Sequence, residues 1–314
     1  MPPLRIGYAI DSAAELLSHP DVLAVIGFGG AASRPGDSRY MQVGLEVLGA
    51  PVVEVWRGSA PVRHGHDGPV RWSSDGDYGF FAVEIEEPAQ DGIANAAEEA
   101  YRVLTACMHA SATPHVLRLW NYFDAINLGE GDDERYRRFC VGRARGIAES
   151  WRDCYPAATA IGRNDGVRVL QVYALASRSA GVPVENPRQV NAWLYPRQYG
   201  PTPPTFARGM ATAAGQLLIS GTAAVVGSAS RHRDDVAAQL DETLTNIESL
   251  IGTASAGARV GDGSLFKVYV RARDDAALVA RRVRDAVSGP GRVLILRGDI
   301  CRRELLVEID GLHA

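Results

Sequence analysis

The sequence predicts an α/β (α+β) fold made of two similar units placed side by side in one chain. Two stretches of about a hundred residues follow the same order of strands and helices, which is the signature of a repeated unit. Strand-like and amphipathic helical segments alternate through both stretches. The composition is that of a globular protein: 314 residues, 46% hydrophobic and 22% charged. No apolar run approaches the roughly 18 residues needed to cross a bilayer.

Residues 1–68 read as a strand-rich N-terminal extension of the first unit, less regular than the rest of the chain. The first unit, 69–180, opens with the strand DYGFFAVEIEE. The helix DGIANAAEEAYRVLTACMHA comes next, then the strand HVLRLWNYF, the helix DERYRRFCVGRARGIAES, and the strands YPAATAIGR and GVRVLQVYALA. A connecting segment spans 181–205. The second unit, 206–314, begins with a strand and turn, GQLLISGTAAVVG, and the helix DDVAAQLDETLTNIESLIG. It continues with the strand SLFKVYVR, the helix DDAALVARRVRDAVSG, and the strands GRVLILRGDI and ELLVEIDG.

The last strand poses a question. Leu305, Val307 and Ile309 alternate with Leu306, Glu308 and Asp310. On a half-buried strand the acids face water, so alternation alone makes Glu308 a solvated carboxylate.

Charge narrows the function. With 33 Lys and Arg against 37 Asp and Glu, the net charge of −4 argues against a general nucleic-acid or membrane-surface partner. The start, MPPLRIGYAIDSAAELL, lacks the pattern of a signal peptide, and the expected compartment is the cytoplasm. Cys107, Cys140, Cys154 and Cys301 are scattered without a CxxC, so neither a disulfide framework nor a zinc site is expected. Lys267 is the only lysine among the 33 basic residues. Arginine-favouring codon usage accounts for that bias, yet an ammonium inside LFKVYVR is a candidate point charge for an anion.

The closing unit resembles the RidA/YjgF fold, on LLISGTA and the ending LLVEIDGLHA. Proteins of that family are trimers that bind small carboxylates between subunits. Two such units in one chain would form the cleft internally, a pseudo-oligomeric arrangement compatible with a monomer.

Four segments resemble the chorismatases more closely: WNYFDAIN (120–127), YRRFCVGRA (136–144), YPRQYGPTPPTFAR (195–208) and ICRRELLVEIDG (300–311). ENP at 185–187 and FKVYVR add to them. The resemblance spans most of residues 70–314 and implies cleavage of chorismate to pyruvate and a six-membered carboxylic acid. Chorismate carries two carboxylates, which the planar fork of arginine suits. The matching motifs make Arg143 and Arg208 its expected anchors, with Tyr136 and Tyr195 as donors and flat walls. Tyrosines at such positions also serve as ordinary core residues.

The resemblance also assigns Glu308 as the acid. Cleaving an enol ether takes a proton delivered to the methylene carbon, and a carboxyl buried enough to titrate near neutrality can deliver it. Cys301 and Gly221 match the members that form 3-hydroxybenzoate, and a subgroup forms 4-hydroxybenzoate as well. Members forming a dihydroxycyclohexadiene carboxylate carry alanine at both positions. For Cys301 alone, a small buried hydrophobe is the plainer reading. No metal and no cofactor is implied. Two rivals remain, a RidA-like imine deaminase and a carboxylate-binding protein without activity.

Two other signals are set aside. GFGGAAS at 27–33 contains GxG, but the proline and glycine of RPGDSRY oppose the helix a phosphate-binding turn needs. HGH at 64–66 has ligand spacing without a third ligand nearby.

Overall fold

The computed structural model of the protein describes residues 1–30, 35–148, 150–151, 154–287, 289 and 291–314. The chain begins with β1 (Arg5–Ala9), α1 (Ala13–Leu17), β2 (Val22–Phe28), β3 (Tyr40–Val43) and β4 (Val53–Arg57). These strands form a sheet in the order β1-β4-β2-β3.

A second sheet takes β5 (Arg63–Asp67), β6 (Val70–Ser74), β7 (Tyr78–Glu86), β8 (His115–Asp124), β9 (Ala157–Arg163) and β10 (Val169–Ser177). Its order is β5-β6-β7-β10-β8-β9, with α2 (Gly92–His109) and α3 (Arg135–Ile147) as crossovers. The third sheet takes β11 (Val182–Val184), β12 (Gly209–Ala211), β13 (Leu217–Ala223), β16 (Ser264–Val270), β17 (Val293–Arg297) and β18 (Val307–His313). It runs β11-β12-β13-β18-β16-β17, with α4 (Val236–Ala254) and α5 (Ala276–Ala286). A small ribbon, β14 (Val225–Val226) with β15 (Ala229–Ser230), projects between β13 and α4.

Without the edge pairs β5-β6 and β11-β12, all three sheets have one topology. Each runs first strand, fourth, second, third. The second and third strands are parallel and the other neighbours antiparallel. The two expected units are present. The stretch read as an extension of the first is a third, reduced copy. Its first crossover is the five-residue α1, and no helix joins β2 to β3 among the described residues. The repeat is silent there because five residues cannot carry a helical period. The expected boundary at residue 68 falls inside the β5-β6 pair, and β11 lies within the segment expected only to connect.

Helix periodicity explains the crossovers. On α2, Ile93, Ala97, Ala100, Tyr101, Leu104 and Met108 are buried at helical spacing. α3 lies so close that a Cβ at Gly142 would overlap the carbonyl of Ala94. On α4 the Asp235 carboxylate caps the helix, accepting from Ala238 N at 2.9 Å.

The sheets turn their other faces toward a shared core. Leu23, Ile26, Met41 and Trp56 come from the first, Trp120, Tyr122 and Tyr173 from the second, and Leu218, Tyr269 and Leu312 from the third. Each such side chain contributes roughly 1.5–3 kcal/mol on burial. The alternation expected in LLVEIDG holds, but its polar face meets this core rather than water. Val307 and Ile309 pack under the helices, while Glu308 and Asp310 are buried on the opposite side.

A closed polar network fills the seam between the sheets. Asp310 pairs with Arg118 at 3.3 Å and accepts from Trp120 Nε1, Thr159 Oγ1 and Tyr269 Oη at 3.2, 3.0 and 2.8 Å. The Tyr269 and Tyr122 hydroxyls meet at 2.9 Å. Lys267 pairs with Glu54 at 2.6 Å and donates to Tyr173 Oη at 3.1 Å, and Trp56 Nε1 caps Glu54 at 2.7 Å. The lone lysine is thus paired inside the protein with Glu54 of the reduced unit.

Candidate active site

A cleft of about 580 Å³ opens between the second and third sheets. Its walls come from the start of α3, the segment before β12, the β13 bulge, the β14-β15 ribbon and the loop entering β18. Six of the eight residues singled out in the sequence line it: Tyr136, Tyr195, Arg208, Gly221, Cys301 and Glu308.

The β13-β18 register slips between Ile219 and Thr222, and this bulge sets Gly221 against Glu308. A Cβ at Gly221 would overlap Glu308 Oε1, so the acid occupies space that only glycine leaves free. Ser220 pins the bulge across the sheets, accepting from Ala158 N at 2.9 Å and donating to Ala207 O at 2.6 Å.

Glu308 is buried, and no hydrogen-bond donor among the described residues reaches its carboxyl. Burial, reinforced by the nearby Asp310 charge, pushes its pKa up to about 8 against the opposing pull of Arg118 and Arg208. At neutral pH it holds its proton. Cys301 stands beside it, half-buried, its thiol pushed up first by burial and then by Glu308. It is a neutral thiol, not a thiolate.

Arg208 is the cleft's buried cation. Its Nη2 donates to Val190 O and Tyr195 Oη, both at 2.7 Å, and the guanidinium lies 5.3 and 5.4 Å from the Phe206 and Tyr195 ring centres. Its Nε is shut away without a partner.

Two arginines escaped the sequence reading. Arg302 stacks 3.9 Å from the Tyr199 ring centre and is anchored through Nη1 to Ser228 O at 2.8 Å and Ser230 Oγ at 3.1 Å. Arg271 shapes the loop beneath, donating to Ile300 O at 3.1 Å, Arg302 O at 3.0 Å and Leu305 O at 2.9 Å, and pairing with Asp299 at 2.6 Å. Arg302 lay hidden in the charged run CRRE, which reads as a solvated turn. Arg271 closes FKVYVR, where its reach to the distant loop leaves no local signal.

Arg143 and Lys267 are not among the side chains lining the cleft. Arg143 is buried behind the wall, donating from Nη2 to Thr205 O at 2.9 Å and lying 5.1 Å from the Tyr101 ring centre. Its small, apolar neighbours mark the packing of α3 on α2, not a pocket. Lys267 lies in the seam described above. Of HGH, His64 contacts Ser38 Oγ at 2.9 Å and His66 edges a separate cavity. No cluster of three or more metal-ligating side chains occurs among the described residues. Residues 31–33 of GFGGAAS lie outside them.

These positions can be set against known proteins. The family model described as chorismatase FkbO/Hyg5-like, N-terminal, matches residues 54–176. A 3-hydroxybenzoate synthase of Streptomyces hygroscopicus is 34% identical, with 93% of this chain and 91% of that protein covered. The chain belongs to the chorismatase family. A chorismatase of Streptomyces rapamycinicus is 36% identical over 83% of this chain and 82% of its own length. A chorismatase crystal structure, 31% identical, superposes with a TM-score of 0.87 and covers 100% of this chain and 98% of its own. Membership of the chorismatases thus extends over the reduced first sheet as well as the two larger units. Among the described residues, no helix is long and apolar enough to cross a membrane.

Proposed function

We propose that the cleft binds chorismate and cleaves it to pyruvate and 3-hydroxybenzoate, with Glu308 as the general acid. The observation that carries this reading is the Glu308 carboxyl: protonated at neutral pH, free of donors, and facing a cleft that Arg208 also lines. In this reading Arg208 takes one substrate carboxylate. Arg302 takes the other, since stacking and the Nη1 anchor hold its guanidinium while Arg143 lies behind the wall. Tyr136 and Tyr195 flank the ring.

Glu308 gives its proton to the enolpyruvyl methylene, and an oxocarbenium ion forms at the adjacent carbon. The ring hydroxyl then displaces the side chain from within the molecule, and pyruvate leaves. The epoxide so formed opens at the carbon that first bore the hydroxyl, and as the ring aromatises it loses a net one proton, which restores the Glu308 carboxyl. The atoms balance without added water, so water must be kept from the ring. Cys301 serves here as a neutral filler of the floor beside the acid, since a thiol pushed up by burial does not attack as thiolate. The named 3-hydroxybenzoate synthase relative favours this product over a dihydroxylated diene acid. Cytoplasmic location and a monomeric state are part of the same proposal.

Incubation with chorismate, with pyruvate and ring products quantified by chromatography, tests the reading. Equal amounts of pyruvate and hydroxybenzoate, with no oxygen from labelled water in the hydroxybenzoate, are expected. Stoichiometric diene acid in place of hydroxybenzoate would make the chain a hydrolase, and no pyruvate at all would reject the reading.

A further inference from the structure

Glu185 is an acid that this mechanism does not use. It follows β11 directly, and its Oε1 accepts from the backbone N–H of Arg208 at 3.4 Å. Its Oε2 is sealed from solvent without a hydrogen-bond partner, as is Nε of Arg208. Two under-partnered groups of opposite charge would ordinarily pair. Here they form no ion pair, because Val190 O and Tyr195 Oη hold the guanidinium in another direction.

The other charges around this corner are engaged. Arg188 bonds Glu242, which also contacts His232 Nε2 at 3.1 Å. From α4, Asn246 O accepts from Asn186 Nδ2 at 2.8 Å. Arg208 is thus the charge that acts on Glu185. Burial pushes this carboxyl up to about 7, with Arg208 opposing.

We propose that Glu185 is a positioning residue whose charge state sets how much of the Arg208 guanidinium is available to a substrate carboxylate. The inference rests on the chorismate reading above. Neutral Glu185 steadies the Arg208 backbone and leaves the Nε edge uncompensated. Ionised Glu185 compensates that cation from behind, and an anionic ligand binds less tightly. By reciprocity, a bound carboxylate disfavours the Glu185 charge, so binding above neutral pH takes up a proton.

The test uses Glu308→Gln, which slows turnover so that the residual heat of cleavage can be subtracted by following pyruvate, and leaves Glu185 as the near-neutral carboxyl at the site. Calorimetry at pH 6.0 and 8.5 in buffers of different ionisation enthalpy reads affinity and proton uptake together. Affinity is expected to fall roughly five- to tenfold at the higher pH, with proton uptake. Adding Glu185→Gln should make both affinity and heat independent of pH. In the otherwise wild-type chain, Glu185→Gln should flatten KM against pH while kcat keeps its decline near the pKa of Glu308. A pH-independent affinity in Glu308→Gln overturns the inference, even if the double variant fails to fold. An unchanged pH dependence in a folded double variant overturns it as well. Loss of chorismate binding at both pH values in folded protein overturns the underlying reading too, and so differs from either result.

Discussion

Asp310 and Glu308 lie two residues apart on β18, both buried and on the same side of the sheet, yet they belong to opposite kinds of place. Asp310 belongs to a closed seam, where Arg118, Trp120, Thr159 and Tyr269 satisfy its oxygens. Glu308 belongs to an open cleft, where a glycine makes room for it and no donor among the described residues meets it. The first arrangement stabilises charge and the second suppresses it. Burial alone therefore does not tune an acid; the partners around it decide the direction.

Glu308→Gln should break the cleft side of this contrast and leave the seam intact. Activity is expected to fall about 10²–10⁴-fold in steady-state turnover, the usual worth of a general acid. Stability should rise. A raised carboxyl contributes stability that is present below the unfolded pKa and lost as pH climbs through about 8. The glutamine variant escapes that loss, so above pH 8 its unfolding free energy from urea titration should exceed wild type by an amount on the order of a few kcal/mol. Equal free energies would mean that Glu308 is solvated or paired.

Asp310→Asn should do the reverse. Removing one partner of a buried pair strands Arg118 and costs about 3–5 kcal/mol, read from chemical unfolding at constant slope. Chorismate turnover per folded molecule should change far less than in Glu308→Gln. Lys267→Met is expected to destabilise by a similar amount by orphaning Glu54, with most of the loss recovered on adding Glu54→Gln. A large rise in KM for Lys267→Met in folded protein would return the lysine to the substrate site.

The pH profile sharpens the same point. Because the acid must be protonated in the free protein, kcat/KM in the Glu185→Gln chain should be flat below about 8 and fall tenfold per pH unit above it, whereas wild type should lose a further roughly five- to tenfold as Glu185 ionises near 7. A profile that instead falls on the acid side would identify Glu308 as a base. The smallest effects belong to the floor of the cleft. Gly221→Ala forces Glu308 aside and should slow turnover by about tenfold. Cys301→Ala should leave pyruvate release nearly unchanged and shift some ring product toward the diene acid, measured at matched conversion. An unchanged product ratio would make Cys301 a packing residue only.

Much of this was legible in the sequence, and the gaps have physical causes. The two larger units declared themselves because α2 and α4 are long enough to show a period. The first sheet did not, since α1 is a single short turn and its kinship lies in strand order, which composition does not record. Tyr136, Tyr195, Arg208, Gly221, Cys301 and Glu308, singled out through motif resemblance, all line the cleft. Lys267 and Arg143 lie off the cleft, for a charged residue in an apolar segment looks alike whether it faces a ligand or a buried partner. Arg302 and Glu185 were passed over because their roles depend on partners far away in the chain. Alternation placed Glu308 on a polar face, but only the packing of one sheet against another turned that face inward.

The arrangement of three sheets from one polypeptide has a consequence for how the protein behaves on dilution. Both walls of the cleft, from Glu134 to Glu308, are carried by sheets of one polypeptide. In an assembly of separate subunits, a pocket between neighbours exists only while they stay associated. Here the neighbours are tethered, and their effective concentration is fixed by chain connectivity. Specific activity should therefore remain constant down to the lowest protein concentration an assay can follow. Tethering also removes the constraint of symmetry: the three seams can diverge one at a time, and a change at Gly221 need not be tolerated at two other copies.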